Sequence, residues 1–240
     1  MVKIFAVLAV AVCAARADLL VVPNANAGAN GNSGTVIPLS EGATDVLFQW
    51  DLAGSQFSSV PVGSSITGIG FRLQGGQATA PPADVTIGTF DLQLSTSLNP
   101  IGALSATQPN NIGADAVTVL SGPLTLPANA LVGGAGPNPF FLIDFTTPYT
   151  YEGGDLLFSL HVANAAAANS FILDADNVDS VGDTVANLPT PQQTEFFNYP
   201  VTEIQFSGGT STPEPSSLLM LGSGMILLAG CGSRAARRGK

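Results

Sequence analysis

The sequence predicts an antiparallel all-β sandwich, and three observations carry that expectation. Apolar residues recur with period two in short runs: Val46, Phe48 and Trp50; Ile69, Phe71 and Leu73; Phe90, Leu92 and Leu94; Ile204 and Phe206. This alternation belongs to strands with one buried face. The 240 residues include 27 glycines and 17 prolines, a density of breakers that suits short strands and disfavours long helices. Turn chemistry recurs at Gly75-Gly76, Pro81-Pro82, Asn110-Asn111, Gly133 to Pro139 and Glu152-Gly153-Gly154-Asp155, intervals that suit a meander. The length fits one core, and no 20 to 50 residue repeat points to a solenoid or propeller.

Taken from the N-terminus, Lys3 and the apolar run Ile4 to Ala14 are too short to span a bilayer. They precede Ala15-Arg16-Ala17, small residues where a signal peptidase reads. Residues 1–17 are therefore expected to be a signal peptide in helical form, cut after Ala17. A lipoprotein alternative would use Cys13, but Val12 before it is larger than that chemistry usually takes. Residues 18–206 are the expected sandwich domain. Within it the apolar parity of Val85-Thr86-Ile87-Gly88-Thr89-Phe90 switches at Gly88, predicting a bulge or bend. The continuous apolar runs Phe140 to Phe145 and Leu156 to Val162 predict strands covered on both faces or at a sandwich centre. The alanine-rich stretch Val162 to Asn169 reads equally as a short helix or a loop.

Residues 207–212 read as a flexible linker, and 213–240 as a tail. From Ser217 to Gly232 the tail is apolar and uncharged, and Arg234, Arg237, Arg238 and Lys240 close it. A single hydrophobic helix over about 217–233 would be a marginal membrane span, roughly 24 Å against a core of about 30 Å. The basic cluster places the C-terminus in the cytoplasm and everything before the span outside, in agreement with a signal peptide.

Charge is distributed unevenly. Between Asp18 and Thr212 lie sixteen carboxylates and one basic residue, Arg72, a formal −15. Such a surface repels nucleic acid and anionic headgroups, which excludes a phosphate-backbone partner. Both cysteines, Cys13 and Cys231, are terminal, so the body has neither a disulfide nor a thiolate metal site.

Pro213-Glu214-Pro215, followed by Ser216-Ser217, an apolar segment and an arginine-rich end, resembles the PEP-CTERM tail of exported bacterial proteins. The order of motif, apolar segment and basic cluster is specific where the tripeptide alone would be weak. The resemblance implies secretion machinery and an exosortase-type processing enzyme as partners. It also implies transient membrane retention and processing near the tripeptide, an anchor that is never cut being the alternative. Two prolines keep the chain extended there and accessible. The body is similar to a recurring type of PEP-CTERM protein through Val22-Pro23-Asn24-Ala25, Asn111 to Asp115 leading into Ser121-Gly122-Pro123-Leu124, and Gly136 to Phe140. That likeness implies a jelly-roll-like sandwich and carries over no catalytic residue.

The residues themselves assemble no catalytic set. One histidine, His161, sits in a strand-like run, with no Gly-x-Ser-x-Gly segment and no phosphate loop. Two carboxylates suffice for glycoside hydrolysis, so the sixteen present are uninformative. Asp174, Asp176 and Asp179, with Asp183 beyond them, form a weak calcium candidate against a solvated acidic loop, because the spacing departs from the helix-loop-helix pattern. No other metal site or cofactor is expected. Stacking aromatics for sugars are limited to Trp50, Tyr149, Tyr151 and Tyr199, with Trp50 expected in the core and Tyr149 and Tyr151 expected exposed. The expectation is a non-enzymatic surface or extracellular-matrix protein associated with exopolysaccharide. A carbohydrate-binding module, or less favourably a polysaccharide-active enzyme, is the alternative.

Overall fold

A computed structural model describes residues 17–39, 45–165, 171–178, 180–187, 193–195 and 198–208. The chain divides into two units, Met1–Gly208 and Gly209–Lys240. The expected signal helix and the apolar helix of the tail lie outside the described residues. Among those residues the only helices are three 3₁₀ turns, Asn24–Ala27, Gly54–Phe57 and Gln108–Asn111.

In chain order the strands are β1 (Asp18–Val22), β2 (Ser33–Thr35), β3 (Asp45–Leu52), β4 (Ser65–Phe71), β5 (Val85–Thr96), β6 (Val117–Leu120) and β7 (Leu124–Leu126). They continue as β8 (Phe141–Thr150), β9 (Leu156–Ala165), β10 (Leu173–Asp176), β11 (Gly182–Asn187), β12 (Gln193–Glu195), β13 (Tyr199–Pro200) and β14 (Thr202–Ser207). All pairings are antiparallel. One sheet runs β1-β14-β4-β8 and the larger runs β12-β11-β3-β9-β5-β6, with β7 also on β5. A small third sheet orders as β13-β10-β2.

The two main sheets share one apolar core. Val46, Phe48, Trp50 and Leu52 of β3 and Leu156, Phe158, Leu160 and Val162 of β9 enter the same cluster as Ile66, Ile69 and Phe71 of β4 and Ile204 and Phe206 of β14. Trp50 stacks on Phe158 at 4.7 Å between ring centroids and 6° between planes, and meets Phe71 of the opposite sheet edge-on at 6.3 Å. Period-two patterning therefore did its expected work, because each sheet turns alternate residues toward the other.

Three expectations need correction. The parity of burial does switch across Gly88, with Val85, Ile87, Phe90 and Leu92 all buried. Yet the ladder to β9 keeps register there, Ile87 opposite Ala165 and Thr89 opposite Ala163, and the irregularity falls between Leu92 and Gln93 against β6. Val162 to Ala165 continue β9, where pairing with β5 and β3 outweighs the helical propensity of alanine. Residues Leu173–Asp176 form a strand, all four buried, where a solvated acidic loop was the alternative to calcium. Between β8 and β9 the expected turn does form, with φ of +93° at Gly153 and +79° at Gly154.

The burial of Asp174 follows from Arg72. The guanidinium donates through Nε to Asp174 Oδ2 at 2.8 Å, and its terminal nitrogen lies 2.7 Å from the same oxygen. That nitrogen also donates to the carbonyls of Asn26 and Ala29, at 3.0 and 2.6 Å, and the group lies 4.8 Å over the Phe140 ring. Asp174 Oδ1 accepts from Gly31 N–H at 2.9 Å, where any larger residue would drive its Cβ to 2.0 Å from the Ala175 carbonyl. Asp176 Oδ2 accepts from Asn26 Nδ2 at 2.8 Å. A carboxylate that sequence reading offered to a metal ion is thus held by the body's single arginine.

Arg72→Ala leaves the Asp174 charge buried and unpaired, and the expected loss is about 3–5 kcal/mol. For a domain near this size that is roughly 10 °C in Tm. Arg72→Lys recovers only part, since an ammonium cannot serve the carboxylate and two carbonyls in one plane. Thermal unfolding of the three chains checks the order, and equal midpoints would remove the assigned role.

Candidate functional site

On the outer face of the larger sheet, cross-strand register places Leu47, His161 and Asp91 in one row and Gln49, Ser159 and Gln93 in the next. A third row holds Asp51, Leu157 and Ser95, with Asp183 of β11 opposite Asp51. A solvated sheet face explains the polar side chains, but here the segment that follows β5 folds back over part of it. Leu104 and Ile112 from that segment pack with Leu157 and Val185 in a second small apolar cluster, so β9 is covered on both faces as its continuous apolar run implied.

Asn111 and Gln108 fix the covering segment. Asn111 Nδ2 donates to Gln49 Oε1 at 2.8 Å and to the Ser105 carbonyl at 2.9 Å, while its Oδ1 accepts from Ser105 N–H and Asn99 Nδ2. Gln49 Nε2 donates to Ser159 Oγ at 2.8 Å and to the Gln108 carbonyl at 3.2 Å, and Gln108 Nε2 returns to the Leu47 carbonyl at 2.9 Å. Gln49 is 1 % exposed and fully engaged, as a buried amide must be.

Between this segment and the sheet lies a groove of about 340 Å³ lined by Leu47, Gln49, Asp91, Gln93, Gln108, Pro109, Ile112, Ser159, Leu160 and His161. At its edge His161 Nε2 is 2.8 Å from Asp45 Oδ1, and Nδ1 is 3.9 Å from Asp91 Oδ2. Asp91 Oδ1 accepts from Ser121 Oγ and Gly122 N–H at 2.7 and 2.9 Å. The Ser121 hydroxyl holds the Asp91 carboxyl below the ordinary range, outweighing what little burial adds, with Gly122 and His161 assisting. The two carboxylates address the imidazole from opposite sides.

Asp51, beneath the covering segment, is 0 % exposed and neither oxygen has a hydrogen-bond partner of good geometry. Burial pushes its carboxyl up to about 7. The Ser97 hydroxyl acts the other way but donates to the Asn99 carbonyl at 2.8 Å, and repulsion from Asp155 and Asp183 adds to the rise. Among the described residues no group of three or more His, Cys, Asp or Glu is spaced to hold a metal ion.

Of the residues singled out from sequence, Asp174 and Asp176 lie together in β10 and are engaged by Arg72, Gly31 and Asn26. Ala17 is exposed immediately before β1. Asp179, Ala15, the motif Pro213, Glu214 and Pro215, and the cluster Arg234, Arg237, Arg238 and Lys240 lie outside the described residues. Among the described residues no helix is long and apolar enough to cross a membrane, and the stretch expected to do so lies beyond them.

Expected exposure of two tyrosines is overturned: Tyr149 is 1 % and Tyr151 4 % exposed, and Trp50 and Tyr199 are also buried. Tyr149 Oη donates to Asp115 Oδ2 at 2.6 Å, and Thr96 donates to the same carboxylate through N–H and Oγ. Burial works to raise Asp115, but these bonds together hold it below the usual carboxylate range. Tyr151 Oη donates to the Gly154 carbonyl at 2.8 Å and its ring packs on Phe57. These hydroxyls anchor turns, so neither ring is a platform for a sugar. The groove residues Gln49, Gln93 and Gln108 escaped the sequence reading. Their signal was the polar parity of β3 and β5, which reads as ordinary solvent-facing surface until a loop covers it.

Residues 211–238 match the family described as the PEP-CTERM protein-sorting motif. No curated protein and no solved structure matches the chain. The matched span includes Pro213-Glu214-Pro215, the apolar stretch and all three closing arginines. The motif implies processing by an exosortase-type enzyme and sorting to the cell surface.

The unfolded chain ionises Asp51 near 3.8 whereas the folded chain keeps its proton to about 7. Between those values the folded form binds more protons, so Asp51 lowers stability as pH rises, by at most about 4 kcal/mol. Asp51→Asn cannot ionise and removes that loss. Its Tm should exceed the parent's at pH 8 and approach it at pH 4 in thermal melts. Identical pH dependence of the two chains would exclude a raised Asp51.

Proposed function

We propose that this chain is a non-enzymatic surface or extracellular-matrix protein, delivered through its C-terminal motif and associated with exopolysaccharide. The match at 211–238 is the observation that carries the reading. The charge map supports it, since basic and apolar ends flank a body with sixteen carboxylates and one arginine. That arginine is buried in an ion pair, so the surface between the ends presents carboxylates without lysine or free guanidinium. Strand β1 begins at Asp18, the residue that cleavage after Ala17 would leave first.

The domain is read as a jelly-roll-like sandwich. The orders β1-β14-β4-β8 and β3-β9-β5-β6 place the first strand beside the last and alternate strands between two sheets, which fits two Greek keys. A binding or scaffolding role is favoured over catalysis by the arrangement at His161. Asp45 and Asp91 flank the imidazole and do not face each other across an open bond-sized gap. The apolar stretch over about 217–233 would hold the protein in the inner membrane until the motif is processed.

Intact-mass analysis of the native protein, with cell fractionation, tests delivery. The expected species starts at Asp18 and ends near Pro213–Pro215, at the surface or in the medium. Glu214→Ala with Pro215→Ala should leave the tail attached and the protein in the membrane fraction. Full-length protein dissolved in the cytosol would sink the reading.

A further inference from the structure

We infer that the groove between the Gln108–Ile112 segment and the β3-β9-β5 face is a saccharide-binding site for an uncharged sugar. The inference deepens the surface-protein reading and rests on it for access to extracellular glycan. At about 340 Å³ the groove is at the lower end of small-molecule sites, which span roughly 300–1,000 Å³.

Its polar atoms are unusual in being divided between locked and free. Gln49 is locked, its amide engaged by Ser159, Gln108 and Asn111. Ser159 Oγ accepts from Gln49, which leaves its own proton to give. Gln93 stands opposite Ser159 in the ladder and, among the described residues, its side chain has no hydrogen bond. Asp91 spends Oδ1 on Ser121 and Gly122, while Oδ2, 3.9 Å from His161 Nδ1, is beyond hydrogen-bond distance of the imidazole and can still accept. A hydroxyl donor, a free amide and a carboxylate oxygen in neighbouring rows of the β5–β9 ladder offer both donors and acceptors. That alternation matches vicinal hydroxyls, each of which gives one hydrogen bond and accepts another.

The lining also carries apolar side chains. Leu47, 41 % exposed, joins Pro109 and Ile112, a surface suited to the C–H face of a sugar ring without aromatic stacking. Charge sets the class: the ionisable groups of the lining are Asp91 and His161, the imidazole already lies between the Asp45 and Asp91 carboxylates, and no lysine or arginine lines the groove. A phosphorylated, sulfated or uronic sugar would bring an anion beside Asp91 to a site whose one imidazole is already flanked by two carboxylates. With few hydrogen bonds and no stacked ring, the affinity should be weak, Kd on the order of 0.1–1 mM.

The test is titration of the purified full-length chain in detergent with uncharged, glucosamine-containing and uronate-containing oligosaccharides, followed by calorimetry and NMR. An uncharged oligosaccharide should bind and shift the methyl signals of Leu47 and Ile112 in the unmodified protein. Gln93→Ala and Ser159→Ala should each weaken binding about tenfold. Thr125→Ala, at the exposed position of β7 and outside the groove lining, should leave it unchanged. The assignment is overturned if no uncharged oligosaccharide binds at about 10 mM, if uronates are preferred, if the shifts fall outside the groove, or if Gln93→Ala binds like the parent. Failure here with correct surface delivery removes the groove assignment alone. Cytosolic retention with intact sugar binding removes the delivery reading and leaves the groove standing.

Discussion

The Arg72–Asp174 ion pair is the interaction on which one end of this domain depends. Arg72 follows β4 directly and Asp174 lies in β10, so the pair ties a main sheet to the small one, and its extra hydrogen bonds pull in the Asn26 and Ala29 carbonyls. Two charges removed from water are costly, and mutual attraction offsets that cost only when every remaining donor and acceptor is satisfied. Here the guanidinium meets a carboxylate, two carbonyls and an aromatic face, and the carboxylate also takes Gly31 N–H. The close approach at Gly31 is what lets the loop close over the pair. A body otherwise free of basic residues has therefore placed its one cation where a hydrophobic substitute could not satisfy the polar groups around it.

The opposite design operates on the outer face of β3, β9 and β5. There polar side chains that would ordinarily face water are roofed by residues 98–115, and each must find a partner or remain available to a ligand. Gln49 and Asn111 find partners within the roof, whereas Gln93 does not. Asp51 is the extreme case: burial without a partner, beside the carboxylates of Asp155 and Asp183, pushes its carboxyl up to about 7. Locked amides give the groove a fixed shape, and fixed shape reduces the ordering cost of binding.

Much of the fold could be read from residue order. The runs around Phe48, Phe71, Phe90 and Ile204 mark β3, β4, β5 and β14, because one-sided burial imposes period two. Strand β10 could not be read in this way. Leu173-Asp174-Ala175-Asp176 shows acidic residues at alternate positions, and only a guanidinium 102 residues earlier makes their burial possible. The tyrosines misled for a related reason: Tyr149 and Tyr151 sit beside a turn, but each hydroxyl finds a partner, Asp115 or Gly154, that lets the ring go inside.

The sequence alone determined the address and the class of architecture, since an apolar segment with a basic end and a period-two pattern are local properties that act on solvent and membrane directly. Tertiary structure alone decided which polar residues became buried ion pair, which became anchoring network and which were left free to line a groove. Those roles depend on partners tens to more than a hundred residues away, and a chain written in one dimension does not say which of its polar groups will meet.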